Sequence, residues 1–291
     1  MRIFVTGGSG FIGSYLLPLL VSGGHEVLSL VRGAGTPGAQ RALRGDLYEP
    51  DSYRAELERF SPDCAIHLAW GGLPDYSLGN CRRNLLAGID LFEALGQAGC
   101  NRIFVAGTCW EYGKLTGAVK ESEQGVEPGM FAAFKIALHA IGQSCCQADG
   151  SRFIWGRPFF VYGPGQRASA LIPSCYASLS AGSEPAVNNP MAVNDFVHVA
   201  DVADAIRALV ESDEAAGAFN IGTGRPASVW EVVNAVASTL GLPPKYHDMP
   251  PAAVTGLWAD TGRMEAFGWR TTMTLEAGIA QTIETWKTGK N

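Results

Sequence analysis

The chain has 291 residues, 47% apolar and 17% charged, which describes a globular protein with enough length for one large or two modest domains. A formal net charge of −6 argues against broad electrostatic binding to nucleic acid or anionic lipid, and no apolar run reaches the roughly 18 residues that a membrane helix needs. Seven cysteines, an odd number with no CxxC pair and no His/Cys cluster at zinc spacing, read as reduced thiols in a cytoplasmic protein without a metal site.

A strand over Ile3-Phe4-Val5 begins almost at the first residue, which leaves no room for a signal peptide. Gly7-Gly8-Ser9-Gly10-Phe11-Ile12-Gly13 follows, then a helix-like stretch from Phe11 to Val21 with Phe11, Tyr15, Leu16, Leu19 and Leu20 on one face. Strand, glycine turn and helix form the frame in which such a turn binds a dinucleotide. The glycines let the backbone approach a pyrophosphate, and the helix start offers N–H groups and a positive dipole end. Gly7, Gly10, Phe11, Ile12 and Gly13 are therefore candidate cofactor residues. Pro18 lies inside the helix, where it removes a hydrogen bond and is expected to kink it.

Glu26 to Val31 reads as a second strand, and Arg32 follows it where an acidic residue would favour the ribose hydroxyls of NAD. A cation there suits the 2′-phosphate of NADP, so NADP is expected, with NAD the alternative. Gly45-Asp46-Leu47 closes a third strand region, where Asp46 either accepts from the adenine amino group or serves as a turn aspartate. Helices at Asp51–Phe60, Asn80–Ala98 and Met130–Ala148 alternate with strands at Cys64–Leu68, Arg102–Ala106 and Arg152–Trp155. This repeat predicts an α/β fold, a Rossmann-type doubly wound parallel sheet. Pro and Gly punctuate Gly163 to Pro190, and four prolines fall between Leu240 and Pro251. That punctuation predicts a smaller discontinuous α/β substrate lobe at the sheet's carboxyl edge. Residues 1–163 plus about 195–225 are assigned to the dinucleotide-binding domain, and about 164–194 plus 226–291 to the lobe.

An ordered series of motifs resembles the extended short-chain dehydrogenase/reductases of the epimerase/dehydratase kind, which act mostly on nucleotide-activated sugars. It runs through Thr6–Gly13, Gly45-Asp46-Leu47, His67-Leu68-Ala69, Asn84 and Thr108-Cys109-Trp110-Glu111-Tyr112-Gly113. It continues with Arg157–Gly165, Asp195–Val202, Phe219–Gly224, Ala259-Asp260 with Arg263, and Gly268-Trp269, so that nearly the whole chain is covered. The resemblance adds Leu68, Ala69 and Pro158 to the cofactor site and implies catalysis by a Ser/Thr, a Tyr and a Lys, the last two spaced Tyr-x-x-x-Lys. Residues four apart share a helix face. The lysine holds the nicotinamide ribose and lowers the tyrosine pKa, the tyrosine exchanges a proton with substrate, and the hydroxyl orients the same oxygen. Thr108 and Lys135 match, but Phe131 stands at the tyrosine position.

A phenyl ring donates no proton, and losing a general acid costs about 10²–10⁴ in rate. Three accounts stay open: an engineered Tyr→Phe change, a natural variant that protonates through Thr108, Tyr112 or water, and a protein that binds without turnover. Dehydratases of the family carry Thr-Asp-Glu where this chain has Thr108-Cys109-Trp110, which disfavours 4,6-dehydration. The string instead resembles reductases of 4-keto-6-deoxy nucleotide sugars, with a 4-epimerase holding NAD tightly as the enzymatic rival and a non-catalytic NAD(P) or ligand sensor as the rival of another class. Cys109, Trp110 and Glu111 are then candidate sugar contacts. Arg263 is a candidate for the diphosphate, while Asn194 replaces a usual arginine for which Arg225 or Lys245 would have to compensate. Asn84 is expected to bond backbone groups, His67 to end a buried strand, and Asp195, His198 and Asp201 to bond backbone and cap a helix at Ala200–Val210. The resemblance also implies a homodimer through the helices at 80–98 and 130–148.

Overall fold

Strands that are apolar along their whole length can be buried only inside a sheet covered on both faces, and this rule organises the first half of the chain. The computed structural model describes residues 1–33, 38–246 and 256–289, so Pro250 and Pro251 of the proline-rich stretch lie outside the described residues. β1 (Arg2–Thr6), β2 (Glu26–Val31), β3 (Arg41–Arg44), β4 (Cys64–His67), β5 (Arg102–Ala106), β7 (Arg152–Pro158) and β10 (Gly217–Ile221) form one sheet. Its order is β10-β7-β5-β4-β1-β2-β3, and each ladder from β7 to β3 is parallel. All residues of β4 and β5 are buried. The helices between these strands are α1 (Phe11–Ser22), α2 (Arg54–Phe60), α3 (Leu78–Gln97) and α4 (Met130–Asp149). α3 and α4 pack together where glycines allow it: a side chain on Gly88 would strike Leu138, and one on Gly142 would strike Phe92 and Phe153.

The chain forms two compact units. The first comprises Met1–Lys114, Gln124–Arg157 and Ala203–Phe219; the second comprises Leu115–Glu123, Pro158–Val202 and Asn220–Asn291. In the second, β9 (Val193–His198) pairs with β8 (Phe160–Tyr162), β11 (Pro226–Ser228) and β12 (Leu257–Ala259), and β12 pairs in turn with β6 (Gly117–Val119). α5 (Leu171–Ser180), α7 (Val229–Thr239) and α9 (Leu275–Lys287) supply Ile172, Leu179, Val232, Val236, Ile279 and Ile283 to its core. α6 (Val199–Glu211) and the short α8 (Gly262–Ala266) complete the described helices. The division departs from the expected one. Leu115–Glu123 belongs to the second unit because β6 pairs with β12. Residues 158–163, 195–202 and 220–225 also belong there: β8 pairs with β9, and the Thr223 and Gly224 amides donate to Asp195 of β9.

α1 continues through Pro18. Pro18 and Ser14, whose carbonyl loses its partner, are both exposed, so water can take that carbonyl while Leu16, Leu17 and Leu20 anchor the buried face. Asp201 does not cap α6 but receives the Thr272 and Met273 amides, and His198 caps instead by accepting from Ala200 N–H at 3.3 Å. Asp195 is wholly buried and its carboxylate accepts from the amides of Thr223, Gly224 and Ala259 and from the Thr223 hydroxyl. Replacing Asp195 with Ala strands these donors and is expected to cost about 3 kcal/mol or more in urea unfolding, whereas Asp195→Asn, which keeps one acceptor, costs less.

Candidate active site

The sheet order reverses between β1 and β4, and ligands of open α/β sheets bind outside the carboxyl ends of the strands at such a point. Thr6 and His67 end these two strands and share a hydrogen bond of 2.7 Å between Oγ1 and Nδ1. Burial holds the His67 pKa down at about 3, with the Lys135 charge adding to it, so His67 is a neutral strand end and not a base. Gly7 has φ +77°, and a Cβ there would stand 2.7 Å from the Ala69 nitrogen. A Cβ on Gly13 would come within 2.6 Å of the Gly8 Cα. The turn therefore lies flush against Leu68-Ala69 and closes under the first turn of α1, where Phe11 and Ile12 sit. Gly10 caps α1 with no side-chain bond, and its first turn carries no acid. Those backbone N–H groups and the positive end of the helix fit an anionic diphosphate, and the shallow cradle is one that any side chain would fill.

Arg32 is exposed just beyond β2, and Pro158 is the last residue of β7. Leu47 packs on the apolar core. Asp46 Oδ1 accepts from Tyr48 N–H at 3.0 Å, the turn role that its spacing also allowed.

Lys135 is carried on α4 and buried; its Nζ donates to the Ala106 carbonyl at 2.7 Å, at the carboxyl end of β5, and stands 4.3 Å from the centre of the Trp70 ring. Burial lowers its pKa to about 8, against the opposing pull of Glu111. One helical turn earlier, Phe131 is walled by Trp70 at 5.2 Å, Tyr76 at 5.3 Å and Trp110 at 5.8 Å between ring centres. Trp110 is exposed and meets Tyr76 at 5.5 Å. The edge-on and tilted angles are those that aromatic quadrupoles favour.

Thr108 opens a 3-10 turn over Cys109–Tyr112 and caps it reciprocally with Glu111: the Thr108 hydroxyl accepts from Trp110 N–H, and Glu111 Oε1 accepts from Thr108 N–H at 2.9 Å. Three sequence expectations fail here. Glu111 is buried, and its carboxylate takes Trp155 Nε1 at 2.9 Å and Arg157 Nε at 2.7 Å, so it faces the interior and not a sugar. Cys109 is likewise buried. Tyr112 is 1% exposed, with its hydroxyl accepting from Arg157 Nη1, so burial keeps it from a ligand. Asn84 bonds both the amide and the carbonyl of Gly71 and so fixes the loop after β4. In the second unit, Arg263 is exposed on α8, Asn194 lies on β9, and Lys245 pairs with Glu184 at 2.9 Å. Among the described residues no group of three His, Cys, Asp or Glu could hold a metal ion, and no helix is long and apolar enough to cross a membrane.

The sequence reading missed Trp70 and Tyr76. Trp70 directly follows His67-Leu68-Ala69, and its place beside that motif was a usable signal. Tyr76 sits in a Gly/Pro loop without periodicity, and nothing local marked it.

The profile of the NAD dependent epimerase/dehydratase family matches residues 3–222, and the chain belongs to that family. It is 26% identical to a GDP-6-deoxy-D-mannose reductase of Pseudomonas aeruginosa, over 98% of this chain and 97% of that protein. It is also 26% identical to a UDP-glucose 4-epimerase of Azospirillum brasilense, over 98% and 92% respectively. Among solved structures, MoeE5 in complex with UDP-glucuronic acid and NAD superposes with a TM-score of 0.84 at 30% identity, covering 99% of this chain and 100% of that one.

Because the Glu111–Arg157 pair is buried, truncating one partner leaves the other charge uncompensated. Glu111→Ala is expected to lower stability by about 3–5 kcal/mol in denaturant unfolding, far more than any exposed ion pair of the molecule.

Proposed function

We propose that the protein is an NADPH-dependent reductase of a 4-keto-6-deoxy nucleotide sugar. The observation that carries the reading is Lys135, a buried ammonium fixed by the Ala106 carbonyl on the same carboxyl side of the sheet as the uncapped glycine turn. In this reading the turn of Gly7, Gly10 and Gly13 and the start of α1 hold the diphosphate of the cofactor. Leu68, Ala69 and Pro158 flank it, and Lys135 donates to its ribose. When bound, the nicotinamide supplies hydride. Thr108 donates to the substrate oxygen, and the exposed Trp110 offers its face to the sugar ring, while Arg263 binds the substrate diphosphate.

Two facts support reduction over dehydration. Cys109 is buried beside Thr108, and Glu111 has both oxygens occupied, so the acid–base pair that elimination needs is absent from this turn. The absence of an acid at the end of β2, with Arg32 exposed there, supports NADPH over NADH. A 4-epimerase with NAD is the second reading, favoured by the epimerase relative and by the NAD in MoeE5. We place the protein in the cytoplasm, where its mostly buried thiols stay reduced. We also assign it a homodimer through α3 and α4, whose Leu86, Met130 and Ile136 are exposed, a state that native mass spectrometry reads directly.

The experiment that tests the function supplies NADPH or NADH with dTDP-4-keto-6-deoxyglucose or GDP-4-keto-6-deoxymannose and follows absorbance at 340 nm. Stoichiometric oxidation of NADPH is expected; interconversion of UDP-glucose and UDP-galactose without net cofactor consumption establishes the epimerase instead. Cofactor affinity carries a pH signature of its own. Lys135 is protonated below about pH 8 and loses its charge as the pH rises through that value. NADP affinity measured by calorimetry is expected to fall several-fold across that window. Lys135→Met is expected to bind about tenfold more weakly, a loss near 1.4 kcal/mol, with the pH dependence flattened.

A further inference from the structure

We infer that Tyr76 supplies the proton that Phe131 cannot, an assignment that rests on the reductase reading above. Reduction of a ketone needs an acid at the carbonyl oxygen, and the rings that wall Phe131 contain one phenol. Trp70 and Trp110 carry indole N–H groups, which are donors but not acids at these pH values. Tyr112 is buried with its hydroxyl held by Arg157, and His67 is turned into the Thr6 hydroxyl. Tyr76 has its ring centre 5.3 Å from that of Phe131 at an interplanar angle of 51°, and 5.5 Å from that of Trp110.

The loop that carries Tyr76 is tied down by hydrogen bonds. Asn80 Nδ2 donates to the carbonyls of Gly71 at 3.0 Å and Asp75 at 2.7 Å, and Asn84 Oδ1 accepts from Gly71 N–H at 2.7 Å. Asp75 N–H donates to the Gly72 carbonyl, and Ser77 N–H donates to Asp75 Oδ1, both at 2.8 Å. The Cys81 thiol closes the set by donating to the Tyr76 carbonyl. Tyr76 itself is half-buried, so the phenol has an open edge to water. The chemistry balances. The carbonyl carbon gains the hydride, the Tyr76 O–H bond breaks, a new O–H bond forms on the sugar, and the phenolate recovers its proton from solvent at that edge. Net, one ketone, one NADPH and one proton give one alcohol and one NADP⁺.

The test combines two substitutions and one chemical readout. Tyr76→Phe is expected to lower kcat with the keto sugar by about 10²–10⁴-fold while KM changes only a few-fold. Adding Phe131→Tyr to that variant returns a phenol next to the missing one, and kcat is expected to recover to within about tenfold of the parent, a rescue that a merely structural Tyr76 would not allow. Independently of turnover, NADP⁺ with UDP-glucose or GDP-mannose is expected to protect Tyr76 from nitration by tetranitromethane, read by peptide mass spectrometry. The assignment is overturned by a Tyr76→Phe variant with unchanged kcat, by a double variant that stays inactive, by a parent that works only after Phe131→Tyr, or by unprotected nitration in a protein that demonstrably binds these ligands. If every variant neither binds NADP nor turns over any keto sugar, the reductase reading itself falls, and the role of Tyr76 with it.

Discussion

A single hydrogen in place of a side chain holds the site together. With a Cβ on Gly7 pressed against the Ala69 nitrogen, the turn after β1 and the chain leaving β4 could not touch, and the sheet's reversal point would open. Because they do touch, the start of α1, the strand ends at Thr6 and His67, and the loop through Trp70 all meet at one edge of the first unit. Everything assigned to the cofactor depends on that closeness. The positive φ at Gly7 is the price, and only glycine adopts it without strain.

A second layer of order lies beneath the reactive surface. Glu111 ties the turn after β5 to β7 through Trp155 and Arg157, caps that turn through Thr108, and places a negative charge where it offsets the desolvation of Lys135. A carboxylate spent this way does no proton transfer. Its contribution is to fix Thr108 and to keep a buried ammonium charged near neutral pH, which is a positioning role built from electrostatics.

Much of this was legible in the amino acids. Continuous apolar runs such as Cys64-Ala65-Ile66 and the glycine pattern at Gly7–Gly13 fit a buried parallel sheet with a turn at its edge, so most of the first unit and the turn followed from local rules, while Lys135 was marked only by the resemblance to a family. The boundaries of the second unit did not. β6, β8, β11 and β12 are three residues each, too short for a period to show, and their partners lie far away in the chain. The inward turn of Glu111 and Tyr112 depends on Arg157, which is remote in sequence, and no spacing rule couples them. Tyr76 reaches Phe131 because asparagines on α3 hold its loop, and a loop tyrosine carries no local mark of its destination.

The chain weaves between its two units: β6 at Gly117–Val119 is made early and waits for β12 at Leu257–Ala259. No single cut in the gene separates one unit from the other. One fusion or one truncation therefore neither adds nor removes the second unit whole, since its three segments are separated by parts of the first. An exchange of any one continuous stretch of the gene that spans both β6 and β12 carries parts of both units, and a change confined to the second unit comes by substitution within its segments.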